Sequence, residues 1–514
     1  MIKKQHLQQP LAIGLMVSML LFISQSARAT TFTVTNTSTA GVGSLAQAIA
    51  DANADGSATA LAPHIIDITV NGTITLTGAL TITQHVRIEG PGQHLFFIDG
   101  GGAHQIFNIT SGNSTIRNVT LQNASVTGDG GAINYSSTGT LTVEFCTLNA
   151  NKASQFGGGI HLGNGTATLN RTTLTNNEAN SGGGIYVAAA TTLNITYGSI
   201  SRGKAINGAG IYTLGTLNAE NCSIFSNTNT ITNGAGIYAD GTGTTTLRNC
   251  SIFSNTASNQ GGGVYVTNNQ LLKVINCTIT SNNGQAMNGG GGIYHNSGVV
   301  PVLKNTIVYG NRSNSFANID DIQFASATVT GDANLVGGCQ GNCGTGVIDF
   351  TTNPLLSSTR VNCENVIFLA PQAGSPAIDN GITDGDTPAT DICGKAWGTI
   401  DIGSAAVSNL SSIFVKKDAT GANNGTSWID AFTSLQSALD AATLGAKIYV
   451  AKGTYIPSKQ VDIDRSGSTT SREVTFQIPA GVEVYGGFAG NETMNAATLA
   501  ARDFVANETI LSGD

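Results

Sequence analysis

Through the middle of the chain, aliphatic and polar residues alternate in short runs, and the runs recur. Seven times a Gly-rich doublet or triplet leads into an aliphatic residue, at Ile133, Ile160, Ile185, Ile211, Ile237, Val264 and Ile293, with steps of 27, 25, 26, 26, 27 and 29 residues. In phase with these stand Phe145-Cys146-Thr147-Leu148, Thr172-Thr173-Leu174, Gly198-Ser199-Ile200, Cys222-Ser223-Ile224, Cys250-Ser251-Ile252, Cys277-Thr278-Ile279 and Asn305-Thr306-Ile307. Five residues before the Cys-type position come Leu141, Ala167, Leu193, Leu217, Thr245, Leu272 and Val300. Three before it come Val143, Leu169, Ile195, Ala219, Leu247, Val274 and Val302. The positions between are polar (Thr142, Thr168, Asn194, Asn218, Thr246, Lys273), which is the period of a strand with one buried face.

A repeat of about 26 residues leaves no room for a helical crossover, so consecutive strands must stack directly as a solenoid. The chain therefore reads as an all-β protein, a right-handed parallel β-helix of about 26 residues per coil, its hand set by the usual chirality of parallel connections. Ser44–Ala52 places Leu45, Ile49 and Ala52 on one face, predicting a short amphipathic helix that caps the first coil. The same opening recurs near the end. Ile413-Phe414-Val415 leads to Phe432, Leu435, Ala438, Leu439 and Ala442 at helical spacing, then to Lys447–Val450, so a second β-helix is expected to begin there. It reaches Asp514 after a few strands, which predicts a natural protein longer than this sequence.

Lys3 and Lys4, the apolar stretch 11–23 and Ala27-Arg28-Ala29 form a secretory signal, so the chain is expected to be exported, either secreted or held at the cell surface or outer membrane. Neither this stretch nor a later one is long enough to span a bilayer, so no transmembrane segment is expected. Without the signal, 20 basic residues face 31 acidic ones, a formal charge of −11, and nucleic acid is excluded as a partner for want of a basic stripe. Charged residues are 11% of the chain, and neutral Thr, Asn and Ser take their place, as suits strands whose like residues stack on one another.

Gly130-Gly131-Ala132-Ile133 and the Ile-Phe-Ser-Asn of 224–227 and 252–255 resemble the repeats of polymorphic outer-membrane proteins, a resemblance that implies a surface β-helix used in adhesion. Residues 374–403, with Gly374-Ser375-Pro376-Ala377-Ile378-Asp379, Thr390-Asp391-Ile392-Cys393-Gly394 and Asp401-Ile402-Gly403, are similar to the end of the choice-of-anchor domain of bacterial surface proteins. That likeness implies a cell-surface or secreted β-helix and no chemistry. The expected organisation is a signal peptide at 1–29, a capped β-helix at 30–318, and terminal coils with the choice-of-anchor-like region at 319–405. A linker at 406–412 and an incomplete second β-helix module at 413–514 follow.

The residue after each inward aliphatic forms a column of its own: Asn134, His161, Tyr186, Tyr212, Tyr238, Tyr265 and Tyr294. Parity points the five tyrosines outward, in a stripe roughly 19 Å long at roughly 4.8 Å per coil. Such a ladder can take a polysaccharide or cell-surface glycan by ring stacking, or the rings can serve one another and cover the sheet. Cys146, Cys222, Cys250 and Cys277 share one column and are expected as buried reduced thiols filling space. Cys339, Cys343, Cys363 and Cys393 lie beyond the regular coils and are the disulfide candidates, with three pairings open. Asn151, Asn177, Asn227, Asn255 and Asn282, interrupted by Gly203, predict an amide ladder along the axis. Glu220 and Arg248 stack as an expected surface ion pair. Asp384, Asp386 and Asp391, in an Asp-rich loop stretch, are the candidate ligands for calcium, the one cofactor the sequence raises, although the spacing is not that of an EF-hand.

Catalysis on a polysaccharide needs paired carboxylates, or a base beside a cation. The acids of the regular coils, Asp129, Glu144, Glu178, Glu220 and Asp240, fall in different columns, and no catalytic residue is assigned. The reading favours an exported β-helix for adhesion or glycan binding through the tyrosine ladder. Its alternatives are a pectate-lyase-like polysaccharide-degrading enzyme and a passive structural stalk.

Overall fold

The computed structural model describes residues 29–287, 289–313, 318–325, 328–341, 343, 348–349, 353–358, 360–363, 366–372, 375–397, 399–405, 412–442, 446–458, 475–479, 481–512. Residues 1–28 of the expected signal peptide and most of the linker at 406–412 lie outside them. The protein is a right-handed parallel β-helix. Each coil contributes one strand to each of three long parallel sheets, with 12, 12 and 11 strands among the described residues. In one representative coil these strands are Thr140–Glu144, Thr147–Asn149 and Ile160–Leu162.

Bends in the backbone keep the strands short. Between the first and second sheets the chain turns on a left-handed residue in eight successive coils: Asn118, Phe145, Arg171, Tyr197, Asn221, Asn249, Asn276 and Asn305, with φ between 46° and 58°. Asparagine tolerates this region better than other residues with a β-carbon, because its short amide can bond locally. Before the third sheet the turn needs glycine twice. Gly182 has φ 68°, and a β-carbon on Gly184 would sit 2.6 Å from the carbonyl of Gly210 in the next coil. Stacked coils approach closely enough there to favour glycine, which is why the glycine doublets recur.

Register follows the aliphatic columns. Ile133 pairs with Ile160, Ile160 with Ile185, Ile185 with Ile211, Ile211 with Ile237, Ile237 with Val264 and Val264 with Ile293. All seven are fully buried in one continuous core. The last landmark departs from expectation. Lys273 pairs with Val302 and Val274 with Leu303, so Leu303 fills the inward column, while Val302 is half-buried and Val300 is 45% exposed. The Cys-type place in that coil belongs to Thr306, one residue later than the sequence suggested.

The helix Leu45–Ala54 closes the first coil, with Leu45, Ala48, Ile49 and Ala52 buried and Ser44 accepting from the Gln47 amide at 3.2 Å. It links the parallel strands Thr31–Val34 and His64–Ile68. Ser412–Val415, the helix Leu435–Ala441 and Lys447–Ala451 repeat this arrangement, with a third strand at Glu483–Phe488. Among the described residues no helix is long and apolar enough to cross a membrane.

After its last coil strands the chain reverses. The described residues of 354–405 run back along the outer face of the second sheet, with Ile307, Leu335, Ala377 and Ile402 in one cluster and Val366, Phe368, Ala370, Ile392 and Ala405 in another. The outward Ser223, Ser251, Phe253, Thr278 and Ile307 are fully buried beneath it.

Candidate functional site

The third sheet carries the tyrosines, because each follows an inward aliphatic residue and so points to the opposite face. Tyr186, Tyr212, Tyr238, Tyr265 and Tyr294 pair in register through five consecutive coils of the ladder. Their ring centroids are 5.3, 4.9, 4.8 and 5.3 Å apart, with interplanar angles of 2°, 23°, 42° and 6°. Coil spacing therefore sets ring spacing, and each ring face lies against the next ring. Phe156, from the preceding turn, closes the upper end at 4.4 Å from Tyr186. At the lower end Tyr294 pairs with Gln323. Tyr186 and Tyr265 are only 8% and 7% exposed, and the other three are half-buried. The expected exposed aromatic face is therefore an edge-on row: what meets solvent is ring edge and hydroxyl.

Burial holds the phenols of Tyr186, Tyr212, Tyr238 and Tyr265 above their ordinary range, Tyr238 at about 12, so these four carry their protons at neutral pH. Tyr212 donates to Asp240 Oδ2 at 3.1 Å, and Asp240 also accepts from the Asn268 amide. Above the tyrosines His161 meets Asn134 Oδ1 at 2.8 Å, and Asn134 donates to Asn108 at 3.2 Å. Burial lowers the His161 pKa, opposed by the charge of Asp129. Phe156, Asp129 and Asp240 belong to this face, and column reading missed them because they come from turns.

The cysteine column is buried and unpaired, as expected. Its role extends beyond filling space. Cys146, Cys222, Cys250 and Cys277 donate to the carbonyl two residues back at 3.2, 3.0, 3.2 and 3.3 Å, and Thr172 and Thr306 do the same at 3.1 and 2.8 Å. Burial pushes the Cys146 thiol up to about 12, so it is neither a thiolate nor a nucleophile. Cys250→Thr is expected to melt close to the parent, within about 1 kcal/mol, whereas Cys250→Ala loses the donor and some packing, about 1.5 kcal/mol by chemical denaturation.

The amide ladder forms and is longer than the sequence suggested. Asn227, Asn255 and Asn282 each donate to the next Oδ1 along the axis, and Asn282 donates to Asn311 at 2.8 Å. Asn311 in turn donates to Asp321 at 2.7 Å. The break at Gly203 is steric: a β-carbon there would lie 2.2 Å from the Ala209 carbonyl. Asp321 occupies the place of the second glycine of the doublet, pairing across to Gly292, and ends the ladder as an acceptor.

The remaining candidates meet the following partners. Lys304 binds Asp384 at 2.6 Å and Asp386 at 2.9 Å, while Asp391 accepts from the amides of Cys393 and Lys395. A lysine thus stands where calcium was expected, and Asp391 serves a turn. Among the described residues no three His, Cys, Asp or Glu side chains gather as a metal site. Arg248 lies 3.6 Å from Asp386 and makes its ion pair there instead of with Glu220. The disulfides are Cys339–Cys343 and Cys363–Cys393. His295 is an interior residue, and neither ring nitrogen meets a hydrogen-bond partner among the described residues. Burial lowers its pKa to about 4.

A family model described as "Right handed beta helix region" matches residues 146–384. Among curated proteins no match is found. Among solved structures, pectate lyase Pel9A is similar with a TM-score of 0.37 and 14% identity, covering 74% of this chain and 98% of that one. A likeness of that degree carries no inference about activity.

Proposed function

We propose that this chain is an exported cell-surface β-helix protein for adhesion or glycan binding, and that the tyrosine row on the third sheet contacts a polysaccharide by ring edges and hydroxyls. Export is read from the amino-terminal signal, and the surface setting from the family resemblances. One observation carries the binding reading: five tyrosines stand in register at coil spacing, with Asp240 bonded to the Tyr212 hydroxyl. Since neighbouring rings cover each other's faces, recognition on this row relies on hydrogen bonding and edge contact. Replacing Tyr212, Tyr238 and Tyr265 together by Phe keeps the stack and removes three hydroxyls. Retention on a glycan array is expected to fall at least about tenfold, equivalent to about 1.4 kcal/mol, with the melting temperature little changed. Unchanged retention rejects the reading.

The face-to-face packing also favours a second reading, a passive stalk whose rings serve only to bind coil to coil. Unaltered adhesion by the Phe variant is the result that reading expects. A pectate-lyase-like enzyme finds less support, because Glu144 is tied to Arg117 at 2.9 Å, Glu178 to Lys152 at 2.7 Å and Asp240 to Tyr212. Release of reducing or unsaturated sugars from a pectin panel would restore it.

A further inference from the structure

The reversed segment sits on the β-helix through contacts of an unusual kind. The left-handed corner asparagines point their amides at its backbone: Asn249 donates to the Thr390 carbonyl, Asn276 to Asp401 at 3.3 Å and Asn305 to Ile382 at 2.8 Å. In return Ile382 N donates to Asn305 Oδ1 at 2.8 Å, and Ser404 N to Thr278 Oγ1 at 3.2 Å. At the end nearest Gly403 the segment is further held by Lys304 on Asp384 and Asp386.

The other end is held more lightly. There, among the described residues, the hairpin Val361–Cys363 with Val366–Phe368 meets the coils through one hydrogen bond, Ile367 N to Ser223 Oγ at 3.1 Å, through apolar contact, and through Arg360, whose guanidinium lies 5.6 and 5.1 Å from the Phe225 and Phe253 ring centres. Cys363–Cys393 ties this hairpin to the segment's returning arm, closing 30 residues, beside Tyr197. Both cysteines are partly exposed, unlike the four buried thiols.

We propose that the described residues of 354–405 form a strap on the second sheet, that the Cys363–Cys393 disulfide keeps its hairpin end in place by tying the hairpin to the returning arm, and that a dithiol reductant frees that end. In that step Cys363 and Cys393 take up two electrons and two protons, and the dithiol closes to its own disulfide. Reduction restores the chain entropy of the closed loop, and the lightly held hairpin lifts first. The surface it uncovers includes Phe225 and Phe253, stacked at 4.9 Å, beside Ser223 and Ser251. The Asn-anchored end stays docked.

Amide hydrogen exchange on the full chain tests this. Reduction is expected to raise exchange at Ile367 at least tenfold, with Ile382 and Ser404 less affected and Ile224 and Ile252 unchanged. The double variant Cys363→Ser with Cys393→Ser should reproduce the effect without reductant, whereas Cys339→Ser with Cys343→Ser should leave the response intact. In the oxidised protein, Asn249→Ala with Asn305→Ala should speed exchange at Ile382. The proposal is overturned by equal Ile367 exchange in oxidised and reduced protein, or by loss of protection at Ile224 and Ile252 together with the strap. Failure of the asparagine variant to alter Ile382 would also overturn it.

Discussion

Asn255→Ala is expected to destabilise the β-helix by about 4 kcal/mol, from two or three buried groups left unpaired at 1–3 kcal/mol each. Its Oδ1 accepts from Asn227 N at 3.0 Å and from Asn227 Nδ2 at 2.9 Å, and its Nδ2 donates to the Ile224 carbonyl and to Asn282 Oδ1, both at 2.9 Å. The residue is fully buried, so water cannot replace these partners. Asn255→Asp keeps the acceptor but loses the donor and buries a charge, so it should fare no better at neutral pH. Denaturant unfolding gives the total, and exchange at neighbouring coil amides shows whether the damage stays local, as one-dimensional stacking requires. A loss below about 1 kcal/mol would mean that the ladder's amides are satisfied in some other way.

The second large effect depends on pH. Burial, aided by the charge of Asp320, raises the Asp321 carboxyl from its ordinary 3.8 to about 7 against the lowering effect of the Asn311 bonds. The folded chain therefore keeps a proton that the unfolded chain has released. The stabilisation is complete below pH 3.8, declines as pH rises, and is gone above about 7, a span of roughly 4 kcal/mol. Asp321→Asn keeps an oxygen for Asn311 and has no charge to bury, so it should remove this slope and be the more stable form at pH 8. Exchange at the Asn282 and Asn311 amides, followed from pH 4 to 8 with correction for intrinsic rates, measures it. Parallel pH profiles for parent and variant would show that Asp321 is not the source.

The coils were legible because one contact repeats at nearly constant step, so a column of Ile or Asn shows itself without a structure. The one slip came where the step lengthened to 29 and Asn305 stood just ahead of Thr306. Taking Asn305 as the Cys-type residue moved Val300 and Val302 inward by one place. A further column, Asn221, Asn249, Asn276 and Asn305 immediately before the thiol or hydroxyl position, was equally readable and was missed. Its signal is the preference of asparagine for left-handed backbone. The strap had no such signal: 354–405 has no period, and its partners lie as far as 144 residues away in sequence. The tyrosine column was found, but parity gives only the side of the sheet. That each ring hides its neighbour follows from coil spacing together with ring orientation.

A stack of coils bound only to nearest neighbours opens from its ends like a zipper, one turn at a time. The segment that doubles back to touch Ser223, Asn249, Asn276 and Asn305 acts as a splint across four of those turns. While it is in place, none of the four can peel away without breaking contacts that the other three also hold, so this part of the rod yields as a block and its carboxy-terminal end resists fraying.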